Sequence, residues 1–290
     1  MNGFALSIGA AALFGGYLVG VKRFFSHYPS TLFVMLTYVF AIGWYLPLMT
    51  LIGPVHLLQL EVGIRGNAVL LATGIFTAIA HYVFYRALAL GDVSYVTPIS
   101  KIVPVFVLPL EFILLQQSLS WIQITGALIA TAAVYVANYQ HGSLLTPFER
   151  LARSKAALLA LLSAAAFGVV DIGKRVSMQE LGVQPSSFVL IMLILVPCLL
   201  MPGAFNNRHA VDWWADRHLL AIAGLTLLAG QYLVATAFET LPASIVSPIV
   251  NTQAVIAVLL GNLLLDESQL RTRLAASGLA VLGVVLISAG

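Results

Sequence analysis

Long apolar runs recur along the whole chain, separated by short segments that contain charges, proline or glycine. Reading the runs between these breaks predicts ten spans, near residues 3–21, 31–52, 67–90, 93–115, 121–139, 156–173, 187–204, 217–238, 243–265 and 272–289. None alternates strictly between apolar and polar residues, as the strands of a membrane barrel would. In hydrocarbon, runs of about 20 apolar residues satisfy their backbone hydrogen bonds as helices. The pattern therefore predicts an all-α integral membrane protein of ten transmembrane helices.

Composition agrees with this pattern and excludes several classes of protein. Of the residues, 60% are hydrophobic and 9% charged, against roughly 45–50% and 25% in ordinary soluble domains. The 14 Lys and Arg are scattered through short connections, so we expect no nucleic-acid partner. Cys198 is the one cysteine, so no internal disulfide can form. We also expect no metal site and no cofactor.

The two halves of the chain resemble each other. His81–Ile99 aligns without a gap on Gln231–Ile249. The longest polar connection lies between the halves, which predicts five-helix repeats over residues 1–140 and 156–290 joined by a loop over 141–155. Because five is an odd number, the second repeat must enter the membrane from the opposite side, and such inverted repeats build many secondary transporters. The matched pairs include Tyr82 with Tyr232, Ser94 with Ser244, Pro98 with Pro248, Phe14 with Phe167, and Gly20 with Gly173.

The sequence resembles the drug/metabolite transporter superfamily, and specifically its ten-helix EamA-type transporters. The resemblance is carried by the Phe-Gly…Gly…Lys-Arg ends of predicted helices 1 and 6, by the Ser-x-Val-x-Pro-Ile segments Ser94–Ile99 and Ser244–Ile249, and by Asp266-Glu267. Where the second half has Asp266-Glu267, the first has Gln116-Gln117, so an acidic pair is not required in both halves.

The resemblance implies a multi-pass protein of the plasma (inner) membrane. By resemblance it is a secondary transporter that exports small organic solutes, such as amino acids or related metabolites, by alternating access. Predicted helices 1, 3, 4, 6, 8 and 9 are then expected to line the cavity, with helices 5 and 10 at the periphery. The expected partners are a small-molecule solute and the lipid bilayer, and a homodimer is left open.

Four polar side chains are predicted to meet near the membrane midplane. His81 and Lys101 each lie about ten residues from the turn at Gly91, or ~15 Å along a helix. Their partners in the second repeat, Gln231 and Asn251, are equally far from the matching turn. Polar groups at this depth are costly and mark functional sites. The predicted substrate-binding residues are His81, Tyr82, Tyr85, Lys101, Gln231, Tyr232, Asn251 and Gln253.

The charged members of this cluster have alternative roles. Lys101 either loses its proton or pairs with a substrate carboxylate, which would favour anionic or zwitterionic solutes. His81 is the best candidate for proton coupling. Asp171 either forms a local ion pair with Lys174, three residues on, or faces inward as a second coupling candidate. Alternatively, helix–helix hydrogen bonds satisfy His81 and Lys101, or Lys101 extends toward the membrane surface along a kinked helix.

Proline and glycine positions predict local backbone features. Gly16 and Gly20 have the spacing that favours close helix packing. The prolines that predict kinks in helices 4 and 9 are Pro98, Pro104, Pro109 and Pro248.

Arg86 lies close to a turn, so its side chain is expected to extend to the membrane surface.

Three other functions were weighed against solute export. A membrane-embedded enzyme, such as a lipid-modifying transferase, would need a metal cluster or an acid–base pair, and no His-x-x-x-His, Asp-x-x-Asp or cysteine pair is present. A channel fits inverted repeats less well than alternating access does. An importer of a quaternary amine such as choline, held by Tyr82, Tyr85 and Tyr232, stays open, although Lys101 would repel that cation.

The count of basic residues and the family resemblance give conflicting predictions for the orientation of the termini. The loops on one side of the membrane hold three basic residues, Arg65, Lys174 and Arg175, and those on the other side hold nine. The positive-inside rule then places both termini outside, whereas the EamA resemblance implies both termini in the cytoplasm, which we prefer. The nine residues are Lys22, Arg23, Arg150, Arg153, Lys155, Arg208, Arg217, Arg271 and Arg273.

Overall fold

The protein is all-helical throughout the part of the chain that the computed structural model describes. The described residues are 3–52, 62–115, 120–138, 153–240, 246, 249–265 and 269–289. A π-helical turn, Val176–Glu180, directly follows the helix Lys155–Arg175. In chain order the helices are α1 Gly3–Phe25, α2 Ser30–Ile52, α3 Gly63–Leu90, α4 Val93–Ser100, α5 Val103–Leu115, α6 Trp121–Asn138, α7 Lys155–Arg175, α8 Pro185–Asn206, α9 Arg217–Thr240, α10 Gln253–Leu265 and α11 Leu270–Ala289.

Long apolar helices confirm a multi-pass membrane protein. Within the described residues, six helices are long and apolar enough to cross a bilayer, namely α1, α2, α3, α7 with its π-helical turn, α8 and α9. Shorter apolar helices cover Val93–Val107, Trp121–Ala130 and Ile249–Leu265. They fall within three other predicted spans, so the count of ten stays a prediction.

Local signals at helix ends explain where several helices begin and end. The Ser154 side chain accepts a hydrogen bond from the Ala157 N–H at 3.2 Å and so caps α7. Pro185 occupies the first position of α8, where its missing N–H costs nothing. Gly91 follows α3 and donates its N–H to the Ala87 carbonyl at 2.9 Å. The Gly91 bond ends α3 immediately before the tight connection to α4.

The predicted fourth helix, residues 93–115, is interrupted close to Pro104, one of the prolines predicted to kink it. It forms α4 and α5, with Lys101 and Ile102 between them. Pro104 explains the interruption, because a proline has no N–H to donate to the carbonyl four residues earlier, at Ser100. The Lys101 N–H bonds to Thr97 O at 3.1 Å and closes α4. The other prolines of this segment, Pro98 and Pro109, lie inside helices.

The predicted ninth helix, residues 243–265, has a matching interruption within its described part. Helical residues 249–251 are followed by a turn at Thr252, and α10 begins at Gln253. Thr252 bonds twice to the Ile249 carbonyl, from its N–H at 3.1 Å and from its hydroxyl at 2.6 Å. The two interruptions fall at matched positions of the repeat alignment, because Ile102 corresponds to Thr252 and α5 and α10 begin at the next residue of each half. Pro248, predicted to kink this helix, lies outside the described residues.

Helices of the two halves pack mainly against each other. Helix α1 packs on α9 and α10, while α7 packs on α3 and on both α4 and α5. Likewise α2 packs on α9, and α8 packs on α3. The pairs α2 with α8, α4 with α10 and α6 with α11 also join the two halves. Exchanging the two halves maps this set onto itself, which fits a two-repeat architecture.

Close helix approach depends on glycines other than the two predicted. A Cβ at Gly15 would lie 2.6 Å from Ile256 Cγ2 and 3.3 Å from the Gln253 carbonyl oxygen, so α1 and α10 nearly touch there. Gly16 and Gly20, in contrast, have no described atom within 4 Å of such a Cβ. The prediction that Gly16 and Gly20 mediate close helix packing was therefore wrong. The face of α1 that meets α10 carries Gly15.

Substituting Gly15 by valine is expected to destabilise the protein, while Gly16→Val is tolerated. The added methyl groups at Gly15 must displace Ile256 or separate the helices, a cost of about 1–3 kcal/mol for an overpacked site. Thermal unfolding of the two variants in detergent measures the difference. Equal unfolding temperatures for both variants would contradict the close contact between α1 and α10.

Candidate functional site

A cavity lies between the halves of the bundle, lined by side chains of α1, α3, α7 and α9 and of the segments around both helix interruptions. Its volume is about 120 Å³, enough for several water molecules. A small organic solute would fit this space. The lining residues are Phe14, Tyr17, Leu18, His81, Phe84, Tyr85, Lys101, Val103, Phe167, Asp171, Lys174, Leu227, Gln231, Val234, Phe238, Val250, Asn251 and Gln253.

Most of the predicted site residues line this cavity together. Those that do are His81, Tyr85, Lys101, Gln231, Asn251 and Gln253, with the coupling candidate Asp171. Tyr82 and Tyr232 do not belong to the lining. The Tyr82 hydroxyl accepts a hydrogen bond from Arg86 Nη1 at 2.7 Å, and the Arg86 side chain is exposed. Tyr232 packs against the main apolar core.

Lys101 carries its ammonium group into an aromatic environment. The Nζ atom lies 5.5 Å from the ring centre of Phe84 and 5.7 Å from that of Phe167. Both distances are within cation–π range. No hydrogen bond or ion pair joins this ammonium to any residue that the structure describes. The lysine therefore lines the cavity with aromatic contacts and with donors left for a solute.

Asp171 and Lys174 form the local ion pair that their spacing predicted. Lys174 Nζ lies 3.5 Å from Asp171 Oδ1, and both side chains are mostly buried. Both residues also line the cavity, close enough to Lys101 to act on it electrostatically. The pair thus places a carboxylate and a second ammonium group beside the solute space.

His81 has one ring nitrogen engaged by its own helix. Its Nδ1 lies 2.9 Å from the Thr77 carbonyl oxygen and 3.5 Å from the Tyr38 hydroxyl. A carbonyl oxygen can only accept, so we assign the proton to Nδ1. In the neutral ring, Nε2 is then an acceptor, and no described residue bonds to it. The side chain is 6% exposed, so a solute amine would meet a largely desolvated acceptor.

Amide side chains supply the other polar groups of the cavity wall. Gln231 lies on α9, Asn251 immediately before the second helix interruption, and Gln253 immediately after it. Within the described part of the chain, none of the three side-chain amides has a hydrogen-bond partner. Gln253 is only 4% exposed, and a buried amide costs free energy unless it finds a partner. A bound solute or water is the natural partner for such groups.

An aromatic layer closes the cavity on one side. The Tyr85 hydroxyl donates to the Tyr17 hydroxyl at 3.2 Å, and the two rings meet edge to face at 6.4 Å. Tyr17 was not among the predicted site residues, and Phe14 and Phe167 were predicted only as matched positions of the repeat. Their matched positions beside Gly15 and Gly168 were the available signal that both rings face one shared cavity.

Polar links join the helix ends at the face of the bundle where α1 ends, which we call the Lys22 face. Lys22 Nζ donates to the carbonyl oxygens of Leu88 and Gly91, at 2.8 Å each. Three further links cross between the halves of the chain. They are Arg23 Nη1 to Leu264 O at 3.2 Å, Tyr28 hydroxyl to Asp216 Oδ2 at 2.7 Å, and the ion pair of Arg273 with Asp92 at 3.9 Å.

The cavity extends away from the Lys22 face. Its lining continues from the Tyr17 and Tyr85 layer to Lys174 and Phe238, which lie in the last turns of α7 and α9. At that opposite face the described ion pair is Arg65 with Glu180, 3.8 Å apart and largely exposed. Exposed pairs of this kind contribute little free energy. The described links therefore hold the two halves together more strongly at the Lys22 face.

A polar cavity enclosed by apolar, membrane-length helices is the architecture of a membrane transporter. The profile of the EamA-like transporter family matches residues 1–139 and 154–289. The chain belongs to this family and is a membrane transporter of the drug/metabolite transporter type.

Comparison with solved structures supports the fold. A structure titled "Crystal structure of protein" matches with a TM-score of 0.68 over 98% of this chain and 95% of that one. The sequence identity is 15%, so the likeness concerns the fold alone. Among curated proteins, none matches the sequence significantly.

Proposed function

We propose that this protein is a secondary transporter that exports small zwitterionic or anionic solutes, such as amino acids or related metabolites, across the plasma (inner) membrane by alternating access. The observation that carries the proposal is the Lys101 ammonium, which lines the cavity without a described hydrogen-bond acceptor. In this proposal the protein has ten transmembrane spans, arranged as inverted repeats over residues 1–140 and 156–290. The matched interruptions at Lys101–Ile102 and at Thr252 support that symmetry.

The carboxylate of the solute binds at Lys101. Charge-assisted hydrogen bonds to an ammonium are the strong ones, and in a desolvated cavity they gain further strength. Helices α5 and α10 begin at Val103 and Gln253, which both line the cavity. The N-terminus of a helix carries a partial positive charge that favours an anion. Interrupted helices of this kind bind anionic substrate groups in other transporters.

The amino group of the solute faces acceptors on the other side of the cavity. His81 Nε2, the amide oxygens of Gln231 and Asn251, and the Asp171 carboxylate belong to the same lining. A quaternary amine such as choline fits less well. It has no carboxylate to pair with Lys101, and the Lys101 ammonium group would repel its positive charge. The rings of Phe84 and Phe167, which would form a cage for such a cation, already contact Lys101.

Alternating access would proceed by breaking the links at the Lys22 face while the opposite end closes. The Tyr28 to Asp216 hydrogen bond is the shortest link that crosses between the halves there. Burial and the neighbouring Asp216 raise the pKa of the Tyr28 phenol above its ordinary value, so it remains a donor at physiological pH. Breaking this link therefore requires helix movement and not a change of protonation.

Removing the charge of Lys101 is expected to abolish most transport. In proteoliposomes, Lys101→Met should lower kcat/KM for amino acid flux at least tenfold, equivalent to about 1.4 kcal/mol, because the solute carboxylate loses its counter-charge. Lys155→Met is the matched control, since Lys155 is exposed at the start of α7. Undiminished flux in a folded Lys101→Met protein would refute the site.

Proton coupling is assigned to His81, with Asp171 as the second candidate. The titratable and charged groups around His81 are Tyr38 on α2, Tyr85 on α3, Lys101 at the interruption, and Asp171 with Lys174 on α7. Proton uptake at His81 would thus be coupled to the charge of the bound solute.

Replacing His81 with glutamine is expected to make flux insensitive to a pH gradient while solute binding persists. Glutamine can still donate to the Thr77 carbonyl but cannot take up a proton. Flux with and without the gradient is compared in wild type, His81→Gln and the control Tyr38→Phe. Full pH dependence in His81→Gln would remove the coupling role and leave Asp171→Asn as the next variant to measure.

Weakening the Lys22 face is expected to expose residues beneath it. In a Cys198→Ser background, a cysteine at Leu88, which is 1% exposed, should react slowly with a charged thiol reagent. Adding Tyr28→Phe should raise that rate several-fold, because a hydrogen bond to a carboxylate contributes about 1.5–3 kcal/mol. Tyr45→Phe, which loses a bond to Ser186 O in another part of the bundle, should not. Equal rates in all three backgrounds would contradict the gating role.

A further inference from the structure

A smaller side pocket adjoins the cavity behind His81. The two spaces share the side chains of His81, Phe167, Lys174 and Gln231, which form the passage between them. Helix α8, which contributes nothing to the main cavity lining, provides much of the side pocket's wall. The pocket therefore lies at the α3, α7 and α8 contact, beside the polar groups assigned to the solute.

The wall of the side pocket is mostly apolar. Val170 on α7 and Phe188, Val189, Met192 and Leu193 on α8 form most of it. All five side chains are 7% exposed or less, and Val170 and Leu193 are each 1% exposed. Such a surface gains free energy from covering an apolar group, at about 25 cal/mol per Å².

Beyond the passage, where His81 Nε2 and the Gln231 amide have no described partner, the polar atoms of the side pocket already have partners in the protein. The Thr77 hydroxyl donates to the Thr73 carbonyl at 2.7 Å and lies 4.0 Å from the Met192 sulfur. The Tyr38 hydroxyl lies 3.5 Å from His81 Nδ1, and Lys174 pairs with Asp171. A polar solute group entering here would lose its water without gaining a free partner, which costs free energy.

The size of the side pocket limits the group it can hold. The side pocket has a volume of about 30 Å³, a quarter of that of the main cavity, which is room for a few waters and so for a group of about three or four heavy atoms. Met192 forms part of this wall, and its unbranched side chain can adapt to groups of that size.

We infer that the side pocket binds the solute's side chain, so that the substrates are α-amino acids with aliphatic or thioether side chains of about three or four heavy atoms. This inference rests on the proposed function. The carboxylate at Lys101 and the amine near His81 place the α-carbon at the passage, and the side chain then points into the pocket. Phe167 lines both the main cavity and the side pocket. Its ring lies near Lys101 Nζ and meets the His81 ring edge to face, with the ring centres 5.2 Å apart.

The test is competition against radiolabelled leucine uptake into proteoliposomes that contain the full-length protein. Valine, leucine and methionine are expected to compete at least tenfold better than glycine and alanine. Asparagine, nearly isosteric with leucine but polar, should compete at least tenfold worse than leucine. Equal competition by leucine and asparagine would overturn the inference.

Variants of the pocket wall test the location. Met192→Ala should improve competition by phenylalanine relative to leucine at least fivefold, because it lengthens the pocket. Val189→Ile should weaken leucine competition and leave alanine unchanged, and it tests the same wall by a minimal change. The matched control is Leu190→Ala on the same helix, since Leu190 is buried in the core but lines neither space.

The possible failures are distinguishable. If no amino acid is transported, the proposed function fails and this inference fails with it. If amino acids are transported through a Lys101-dependent site but both wall variants keep the wild-type order of side chains, only the side pocket assignment is overturned.

Discussion

The architecture depends on one constraint, which is that backbone polar groups in hydrocarbon must find partners within the protein. Continuous helices satisfy it along most of the chain. Among the described residues, the helices are broken at Lys101–Ile102 and at Thr252, and both breaks lie beside cavity-lining residues. Irregular backbone at membrane depth is tolerated only where protein or water surrounds it. The breaks therefore mark the polar centre of the molecule.

Packing between the halves of the chain creates the space around that centre. Helix α1 meets α9 and α10, and α7 meets α3 and the α4–α5 segment. Glycine allows the close approach at Gly15 and again at Gly173, where a Cβ would collide with Thr73. Because these contacts bring each pair of helices together at one level, the aromatic and polar side chains between them surround a cavity and do not fill it.

The charges of the cavity and of the Lys22 face have different physical roles. Around the cavity, Lys101 is held by aromatic rings, and the Asp171–Lys174 pair is largely buried, so water screens these charges weakly. At the Lys22 face, Lys22 and Arg23 bind backbone carbonyls at helix ends, where a cation is favourable. Several of the basic residues counted for membrane orientation thus have structural partners, which weakens the positive-inside count as a guide to orientation.

The sequence alone determined the membrane class, the family resemblance, the two-half organisation and most of the polar side chains that line the cavity. Hydrophobic runs and the gapless repeat depend only on local composition and spacing, and the depth of His81 and Lys101 follows from counting along helices. The chain pattern could not show that Tyr82 and Tyr232 turn away from the cavity while Tyr17 faces it, because all three lie on helices that are apolar around most of their circumference. It also gave no sign that Gly15, and not Gly16 or Gly20, meets α10. Only the tertiary structure decided these points, and it alone revealed the side pocket, because which face of an apolar helix meets which neighbour is determined by packing between distant segments.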